Sequence, residues 1–344
     1  MRGMGKRPPM KWSISPYNVP QGKWKKRLKA ELRDVTVREG EDSTGRKIPL
    51  LRKLRLAEAI ETAGFERIDV GFPGSDLQAF KFSKELGRKS ELLKSGLVVG
   101  WQGQASQRAV VRSLDAGCDQ IDILLLCSEI QLAAHDETLA SSIAKAIPLA
   151  RLCAARGVTC FAGLVDVTRT SKESLMTILS SEMFDYFDGA VLYDTVGVAT
   201  PDGMRSLVEL VSRRLKKRLI AHCHNDYGLA VANTIAAISA GAEVADVSLL
   251  GVGDRAGNAA TEEVVASITC LYSGMTGIDY RSLSRMCKIA SWALDEQRDA
   301  LKPIVGTSVA NSYSELHQDR ESKSWSVWLP FSPGLFRAEV KSAQ

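Results

Sequence analysis

Short apolar runs alternate with longer amphipathic segments along most of the chain, beginning near residue 29. Each short run is rich in aliphatic and β-branched residues, and this pattern is typical of buried strands. The runs predict strands at 29–35, 66–71, 95–100, 119–126, 157–165, 188–193, 218–222 and 244–250. The segments between them repeat apolar residues at helical spacing. They predict helices at 50–63, 76–88, 105–116, 139–156, 171–184, 202–216, 228–240 and 261–273.

This regular succession of strand and helix predicts an α/β fold with a parallel sheet. A doubly wound open sheet is the alternative, but so many regular units within about 250 residues favour a closed (β/α)8 TIM barrel. We therefore expect a barrel domain at 29–277, preceded by a basic, extended N-terminal arm at 1–28. A short C-terminal subdomain at 278–344 should be mainly helical at first and rich in tryptophan and proline at its end.

The composition is that of an ordinary globular protein, with 344 residues, 45% hydrophobic and 25% charged. No apolar run approaches the roughly 20 residues of a membrane-spanning helix, and the N-terminus lacks an apolar signal segment. The seven cysteines show no CxxC spacing, and several lie in apolar runs. We therefore expect reduced core cysteines in a cytoplasmic protein that has no membrane partner.

Positive charge is concentrated at the N-terminus, although the net charge of the chain is only +5. Residues 1–30 contain many Lys and Arg but neither Asp nor Glu. Such an arm can bind nucleic acid or a membrane surface, or it can attract an anionic cofactor. Its prolines and aromatic residues favour a strap packed on the domain, and a nucleic-acid partner is disfavoured.

An HxH pair, His222 and His224, contains two of the four histidines of the chain. The preceding residues Arg218–Ala221 predict a short strand, and side chains two apart on a strand point to the same side. Two imidazoles on one side can hold a divalent cation together. A chance pair of surface histidines is the alternative.

The position of the pair in the predicted barrel argues against chance. Barrel enzymes place their chemistry in the loops that follow the strands. Several polar motifs occupy such loops here, and they should all lie at one face of the barrel. They are Arg38–Glu41, Gly71–Gly74, Asp194–Gly197, the HxH pair with Asn225 and Asp226, and Gly251–Asn258.

These motifs together resemble the DRE-TIM metallolyase (HMGL-like) superfamily, in its homocitrate synthase and isopropylmalate synthase branch. The resemblance spans about residues 12–335 and also includes Lys302–Gly306 and Leu316–Asp319 in the post-barrel segment. The stretches that carry it within the barrel are Asp34–Glu41, Ile68–Pro73, Leu192–Gly197, His222–Ala230 and Gly251–Asn258.

The resemblance implies a divalent cation held by Glu39, His222 and His224, with Asn258 approaching it. Oxygen and imidazole ligands suit Mg²⁺, Mn²⁺, Zn²⁺ or Co²⁺. A solvated loop acid is the alternative interpretation of Glu39. A 2-oxo acid could chelate the cation through its carboxylate and keto oxygens, and the cation would polarise the keto carbon.

The catalytic residues implied are Arg38, Thr195 and His317. Arg38 would stabilise the negative charge that develops on the substrate, and Thr195 would donate a hydrogen bond to its carboxylate. His317, from the post-barrel segment, would transfer a proton at an acyl-CoA across a homodimer interface. Further substrate-binding residues are Arg169, Ser128 and Gln102. Gly251, Gly253 and Gly257 would allow close approach of the acyl-CoA, or would serve turn geometry alone.

The resemblance therefore implies a Claisen condensation of acetyl-CoA or another acyl-CoA with a 2-oxo acid. Departures from the family pattern favour a non-standard 2-oxo acid: Asp42 replaces a Gln, Val165 a Glu, Gln102 an Arg and Gln131 a His, and Ser314–His317 is a degraded form of the family motif. The product would be a 2-hydroxy-2-substituted dicarboxylic acid.

Two alternatives come from other classes. A metal-dependent lyase or aldolase fits Ala260–Val265, which resembles hydroxymethylglutaryl-CoA lyase, but the cysteine-bearing loop of that lyase is absent. A catalytically inactive scaffold is suggested by Val165. The presence of Arg38, Glu39 and the histidines argues against a scaffold.

Overall fold

A closed eight-stranded parallel barrel forms the centre of the molecule in a computed structural model, which describes residues 28–297, 299–309, 330–331 and 334–336. The strands follow each other in chain order around the barrel, and β1 pairs with β8 to close it. Their bounds are β1 Glu31–Asp34, β2 Arg67–Asp69, β3 Leu93–Val99, β4 Gln120–Leu126, β5 Thr159–Val165, β6 Gly189–Asp194, β7 Arg218–Cys223 and β8 Val244–Val247. The TIM barrel predicted from the sequence is thereby confirmed.

Helices cover the outside of the barrel, and most of them lie where apolar periodicity predicts them. Their bounds are α1 Thr36–Thr44, α2 Leu50–Thr62, α3 Leu77–Leu86, α4 Gln104–Asp115, α5 Glu129–Ala134, α6 Leu139–Ala154, α7 Lys172–Leu179, α8 Pro201–Leu215, α9 Ala230–Ala240, α10 Thr261–Ala266 and α11 Leu283–Leu294. A π-helical turn, Ser267–Leu271, continues α10. Among the described residues, no helix has the length and apolarity needed to cross a bilayer.

The loop expected at Arg38–Glu41 is wrong, because these residues lie on helix α1. The sequence of α1 contains a glycine and two threonines, which lower its intrinsic helix propensity. Tertiary packing compensates: a Cβ on Gly40 would stand 2.4 Å from Cδ2 of Leu294, so α11 lies directly on this helix. Helix α5 is a second element that the sequence pattern did not predict.

Two apolar layers hold the barrel together. The larger one lies between the outward side of the strands and the helices. A small inner cluster fills part of the barrel interior with Phe161, Val191, Tyr193, Ile220 and Val244. Another part of the interior is ionic, whereas branched aliphatic residues dominate the interior of most such barrels.

Arg33 of β1 is the centre of this ionic layer and is fully buried. Its Nε and Nη2 donate to the two carboxylate oxygens of Asp246 on β8, at 2.7 and 2.8 Å. Its Nη1 donates to Asp122 of β4 at 2.6 Å. A bidentate charged pair of this kind has a well-defined geometry, so the network fixes three strands relative to one another.

The segment after the barrel packs against its first helices. In α11, the carbonyl oxygen of Trp292 accepts a hydrogen bond from Arg52 of α2 at 3.2 Å. Leu294 packs with Ile48 and with Val252 in the loop after β8. The helical start expected for this segment agrees with α11, whereas the boundary at 277/278 stays a prediction.

Candidate active site

Three potential metal ligands converge at the carboxyl-terminal end of the barrel. Glu39 lies on α1 directly after β1, His222 on β7, and His224 just after β7. One ligand atom of each lies within 4.8 Å of the others, and all three side chains are buried. Both imidazoles lie on the inner side of the barrel, as expected for residues two apart along a strand.

Asp246 sets the orientation of His222. Its Oδ2 lies 2.9 Å from Nδ1 of His222, and the other nitrogen, Nε2, lies 3.3 Å from Oε1 of Glu39. Burial opposes ionisation of Asp246, but Arg33 and then His222 outweigh it and lower the pKa of Asp246 to about 2. An ionised Asp246 accepts a hydrogen from Nδ1, which turns the Nε2 edge of the imidazole ring toward the cluster.

The charges of the ligands are set by the same environment. Burial opposes protonation of His222, but hydrogen bonds with Asp246 and Glu39 outweigh it and raise the pKa of His222, so a cation must displace a proton there. Burial alone would raise the pKa of Glu39, but Arg38 and His222 hold it well below its usual range. Burial, and then the neighbouring His222, lower the pKa of His224 to about 3. Glu39 is therefore a carboxylate and His224 a neutral imidazole at neutral pH, which are the forms that bind metals.

Unpartnered atoms show that this donor set fits a cation. Among the described residues, the buried atoms that lack a hydrogen-bond partner include Nδ1 of His224 and Oδ1 of Asn258, while Oε1 of Glu39 lies in ion-pair distance of Arg38 and His222. Buried polar atoms are normally satisfied, and a carboxylate oxygen, an imidazole nitrogen and an amide oxygen are all donors for divalent metals. The cluster therefore has the chemistry of a metal site.

Arg38 lies beside the cluster in a fixed orientation. Its Nε donates to Asp69 of β2 at 2.7 Å, and Nη1 lies 2.6 Å from Oε1 of Glu39. Its Nη2 is buried and has no hydrogen-bond partner in the part of the chain that is described. Two of the three guanidinium nitrogens are thus held by carboxylates, and the third remains available to a ligand.

The other residues expected to bind substrate differ in burial and in their hydrogen-bond partners. Oγ1 of Thr195 accepts a hydrogen bond from the Asp166 backbone at 2.8 Å, so its own hydrogen is free to donate. Ser128 is fully buried and donates to the Asp166 carboxylate, which also pairs with Arg169. A contact between Ser128 and substrate stays a prediction. Gln102 is exposed at the start of α4.

The loop Gly251–Asn258 folds back on itself beside the metal ligands. Gly257 has a φ of 88°, and a Cβ there would stand 1.9 Å from the carbonyl oxygen of Gly251. A Cβ on Gly253 would stand 2.3 Å from Nδ2 of Asn258 and 2.9 Å from Oε2 of Glu39. Turn geometry and contact with the cluster account for the glycines at 253 and 257. An acyl-CoA contact at this loop stays a prediction.

Gly253→Ala should weaken metal binding by about 10- to 100-fold, the range seen when residues supporting metal ligands are changed. The added methyl group must displace Asn258 or Glu39, because both lie within contact distance. Titration of the metal-free protein with Mn²⁺ measures the effect. Gly117→Ala is the control, since Gly117 also has a positive φ, of 79°, but nothing lies within 4 Å of its Cβ. Equal affinity in both variants would contradict the prediction.

The residues that support the ligands were not identified from the sequence. Asp69, Asp122 and Asp246 lie in β2, β4 and β8, where they contact Arg38 or Arg33 in the barrel interior. The sequence feature that could have identified them is a charged residue at an inward position of a buried strand. Arg33 in β1 is a residue of opposite charge at such a position. His317 lies outside the described residues, and its role stays a prediction.

Comparison with known proteins agrees with this architecture. Residues 29–289 match the family model described as HMGL-like, and the chain belongs to the HMGL-like family. It is 33% identical over 304 residues to a probable 2-isopropylmalate synthase of Ignicoccus hospitalis, covering 88% of this chain and 75% of that relative. The family assignment made from the sequence motifs is confirmed.

Other relatives include synthases with different names. A putative (R)-citramalate synthase of Archaeoglobus fulgidus is 29% identical over 315 residues, covering 89% of this chain and 62% of the relative. A homocitrate synthase of Methanocaldococcus jannaschii is 26% identical over 329 residues, covering 93% and 78%. The solved hydroxymethylglutaryl-CoA lyase of Pseudomonas aeruginosa superposes with a TM-score of 0.69 at 20% identity, covering 87% of this chain and 99% of that one. At that identity the likeness shows the fold alone.

Proposed function

We propose that the protein is an acyltransferase that condenses acetyl-CoA or another acyl-CoA with a 2-oxo acid, and that the acyl group becomes an alkyl group on transfer. The observation that carries the proposal is the buried cluster of Glu39, His222 and His224 beside an unpartnered guanidinium nitrogen of Arg38. Relatives named isopropylmalate, citramalate and homocitrate synthase support this reaction class.

Glu39, His222 and His224 would hold the divalent cation, and Asn258 could add an amide oxygen. When bound, the cation supplies Lewis-acid polarisation of the 2-oxo carbonyl. Mg²⁺, Mn²⁺, Zn²⁺ and Co²⁺ are all compatible with these ligands.

The side chains of this protein supply orientation and charge stabilisation. Nη2 of Arg38 would donate to the keto oxygen as negative charge develops there, from a buried position where such a contact is strong. The free hydroxyl hydrogen of Thr195 would bind the substrate carboxylate. We further propose that His317 transfers the proton at the acyl-CoA, since an imidazole titrates near neutral pH.

Release of free CoA tests the reaction class. The metal-loaded protein should release CoA thiol from acetyl-CoA only when a suitable 2-oxo acid is present, and a panel of 2-oxo acids would identify the acceptor. Glu39→Ala is the control for contaminating thioesterase. Absence of CoA release across the panel, together with cleavage of a 3-hydroxyacyl-CoA, would replace the proposal with the lyase alternative.

The lyase alternative rests on shared fold and on Ala260–Val265. The residues that stand where the lyase has its cysteine argue against it. Arg255 in that stretch donates to the Asp226 carboxylate at 2.7 Å and to the Thr195 backbone oxygen at 2.8 Å. This stretch therefore joins three catalytic-face loops and presents no thiol.

His224→Ala should remove the bound cation and leave the barrel folded, because this side chain lies at the barrel mouth rather than within the packed apolar layers. Metal analysis of the purified variant by mass spectrometry, with circular dichroism for the fold, measures both expectations. His135→Ala is the matched control, since His135 is an exposed histidine at the end of α5. Full metal occupancy in the His224 variant would remove this residue from the site.

Val165→Glu should change which 2-oxo acids are used. Val165 is half-buried at the end of β5 and has the inward parity of Phe161. A carboxylate there should disfavour acceptors with an anionic substituent by about 10-fold or more in kcat/KM relative to apolar ones, because like charges would be close. The isosteric Val165→Thr variant is the control. An unchanged acceptor profile would place position 165 outside the pocket.

We also propose a homodimer in the cytoplasm, by analogy with metabolic synthases of this family. The seven cysteines all lie in the described part of the chain, and each is buried and outside any disulfide, as expected for reduced core residues. The basic arm lies outside the described residues.

A further inference from the structure

Glu262 is a fully buried carboxylate that the proposed reaction does not use. It lies in the first turn of α10, and its Oε2 accepts a hydrogen bond from the Leu250 backbone N–H at 3.1 Å. The thiol of Cys287 on α11 lies 3.5 Å from the same oxygen. Oε1 has no hydrogen-bond partner within the described ranges. A buried carboxylate is costly, so its presence here calls for a role.

The bond from Leu250 holds a strained residue. Leu250 has a φ of 64° and a ψ of 3°, in the left-handed region that residues with a Cβ seldom adopt. Such a conformation persists only when its surroundings fix it. The Glu262 carboxylate is the side chain that hydrogen-bonds to the Leu250 amide.

Leu250 is linked to the metal-ligand cluster through the three residues that follow it. The carbonyl oxygen of Gly251 accepts from the Asn258 backbone at 3.0 Å, and that of Val252 accepts from Nδ2 of Asn258 at 3.3 Å. Gly253 then contacts Asn258 and Glu39. A shift at Leu250 would therefore move the backbone that supports Asn258 and lies against Glu39.

Lys302 joins the segment after the barrel to this loop. Its Nζ lies 2.8 Å from Oε1 of Glu263 and 3.7 Å from Oε1 of Glu262, so it forms an ion pair with the buried carboxylate as well as with its neighbour. The same Nζ would be 3.4 Å from a Cβ on Gly251. On the other side of the loop, Leu294 packs on Val252. The post-barrel segment thus contacts the loop from two directions.

We propose that Glu262 is a positioning residue that holds the loop 250–258 against the metal-ligand cluster, and that Lys302 makes this position depend on the segment after the barrel. The part that concerns metal affinity rests on the proposed function. The part that concerns the loop conformation does not, because it depends only on contacts within the chain.

Two substitutions at Glu262 distinguish the effect of its hydrogen bond with Leu250 from the effect of its negative charge. Glu262→Gln keeps an oxygen that can accept from Leu250, and it should resemble the wild type. Glu262→Leu removes the acceptor. Hydrogen–deuterium exchange of peptides covering 248–258 should then accelerate at least about 10-fold, and the dissociation constant for Mn²⁺ should rise about 10- to 100-fold.

Lys302→Met tests the link to the post-barrel segment. It leaves the Glu262 charge buried without its cation, so exchange in 248–258 should accelerate and Mn²⁺ binding should weaken. The double variant Lys302→Met/Glu262→Gln should recover both values, because the uncompensated charge is gone. Lys288→Met, an exposed lysine of α11, controls for loss of a cation. Val264→Ala, a buried apolar residue of α10, controls for destabilisation of the helix.

The outcomes are separable. Wild-type exchange and affinity in Glu262→Leu, or acceleration in Val264→Ala equal to that in Glu262→Leu, would overturn the positioning role. Unchanged exchange in Lys302→Met, or no recovery in the double variant, would overturn the link to Lys302. Should Glu262→Leu fail to fold, the exchange rates and Mn²⁺ affinities of the Glu262→Gln and Lys302 variants still test the proposal. If the wild type binds no Mn²⁺, the proposed metal site is wrong, and the exchange data alone test the role of Glu262 in the loop conformation.

Discussion

Replacing Arg38 with lysine should lower kcat by at least about 100-fold, although the positive charge is kept. In the structure, Nε of Arg38 is bound to Asp69 and Nη1 contacts Glu39, which leaves Nη2 as the buried, unpartnered donor. A lysine has one ammonium group at the end of a flexible stem. That group would pair with one of the two carboxylates and leave no directed donor for the substrate.

The loss should fall on kcat rather than on KM if the contact forms mainly in the transition state. A 100-fold decrease corresponds to about 2.7 kcal/mol of lost transition-state stabilisation. The measurement is steady-state CoA release with the acceptor found by the panel, together with metal content. Arg218→Lys is the matched control, because that guanidinium also pairs with two carboxylates, Glu31 and Glu243, but at the start of β7. Wild-type turnover in Arg38→Lys would exclude Arg38 from the chemistry.

Asp246→Asn should destabilise the protein by about 3 kcal/mol, the lower end of the cost of breaking a buried ion pair from one side. Arg33 would lose its bidentate partner and keep only Asp122. The same change removes the carboxylate that orients His222, so metal affinity should also fall by about 10- to 100-fold. Urea unfolding of the metal-free protein measures the first effect, and Mn²⁺ titration measures the second.

The pH dependence of unfolding gives an independent check. The pKa of Asp246 is lowered to about 2, despite burial, by Arg33 and His222. A carboxylate whose pKa is depressed on folding stabilises the native state above its unfolded value of about 3.9 and loses that contribution as the pH falls toward 2. Asp246→Asn should therefore show a flatter acid limb than the wild type. Glu243→Gln, an exposed carboxylate beside β8, is the control. If the free energy of unfolding of Asp246→Asn equalled that of the wild type, Asp122 alone would be a sufficient partner for Arg33.

The barrel could be predicted because its signal is repeated. Each strand is a short apolar run between glycines and amphipathic segments, and the eight runs in order permit few topologies. Helix α1 was missed because its residues have poor propensity and its stability comes from packing under Leu294, a contact that no local pattern contains. Tertiary contacts override propensity in this way at short helices.

The candidate site was predictable to the extent that its residues are close in sequence or follow a strand. His222 and His224 lie two apart, and Glu39 follows β1 directly, so parity and topology bring them together. Asp246 and Arg33 could not be paired from the sequence, because a single charge in a strand does not reveal its partner on a distant strand. The hydrogen bond of Ser128 to Asp166 was likewise hidden, because the two residues lie after different strands of the barrel.

The pairing of Arg33 with Asp246 joins the first strand of the barrel to the last, across 213 residues of chain. A nascent polypeptide that has emerged from the ribosome only as far as α9 contains Glu39, His222 and His224, but not Asp246, the carboxylate that orients His222. During synthesis the three cation ligands therefore emerge before Asp246, which orients His222. Contacts between residues this far apart in sequence also form late in folding. We expect an oriented centre to arise only when β8 closes the barrel, so that an unfinished chain exposes no competent site to the metal pool of the cell.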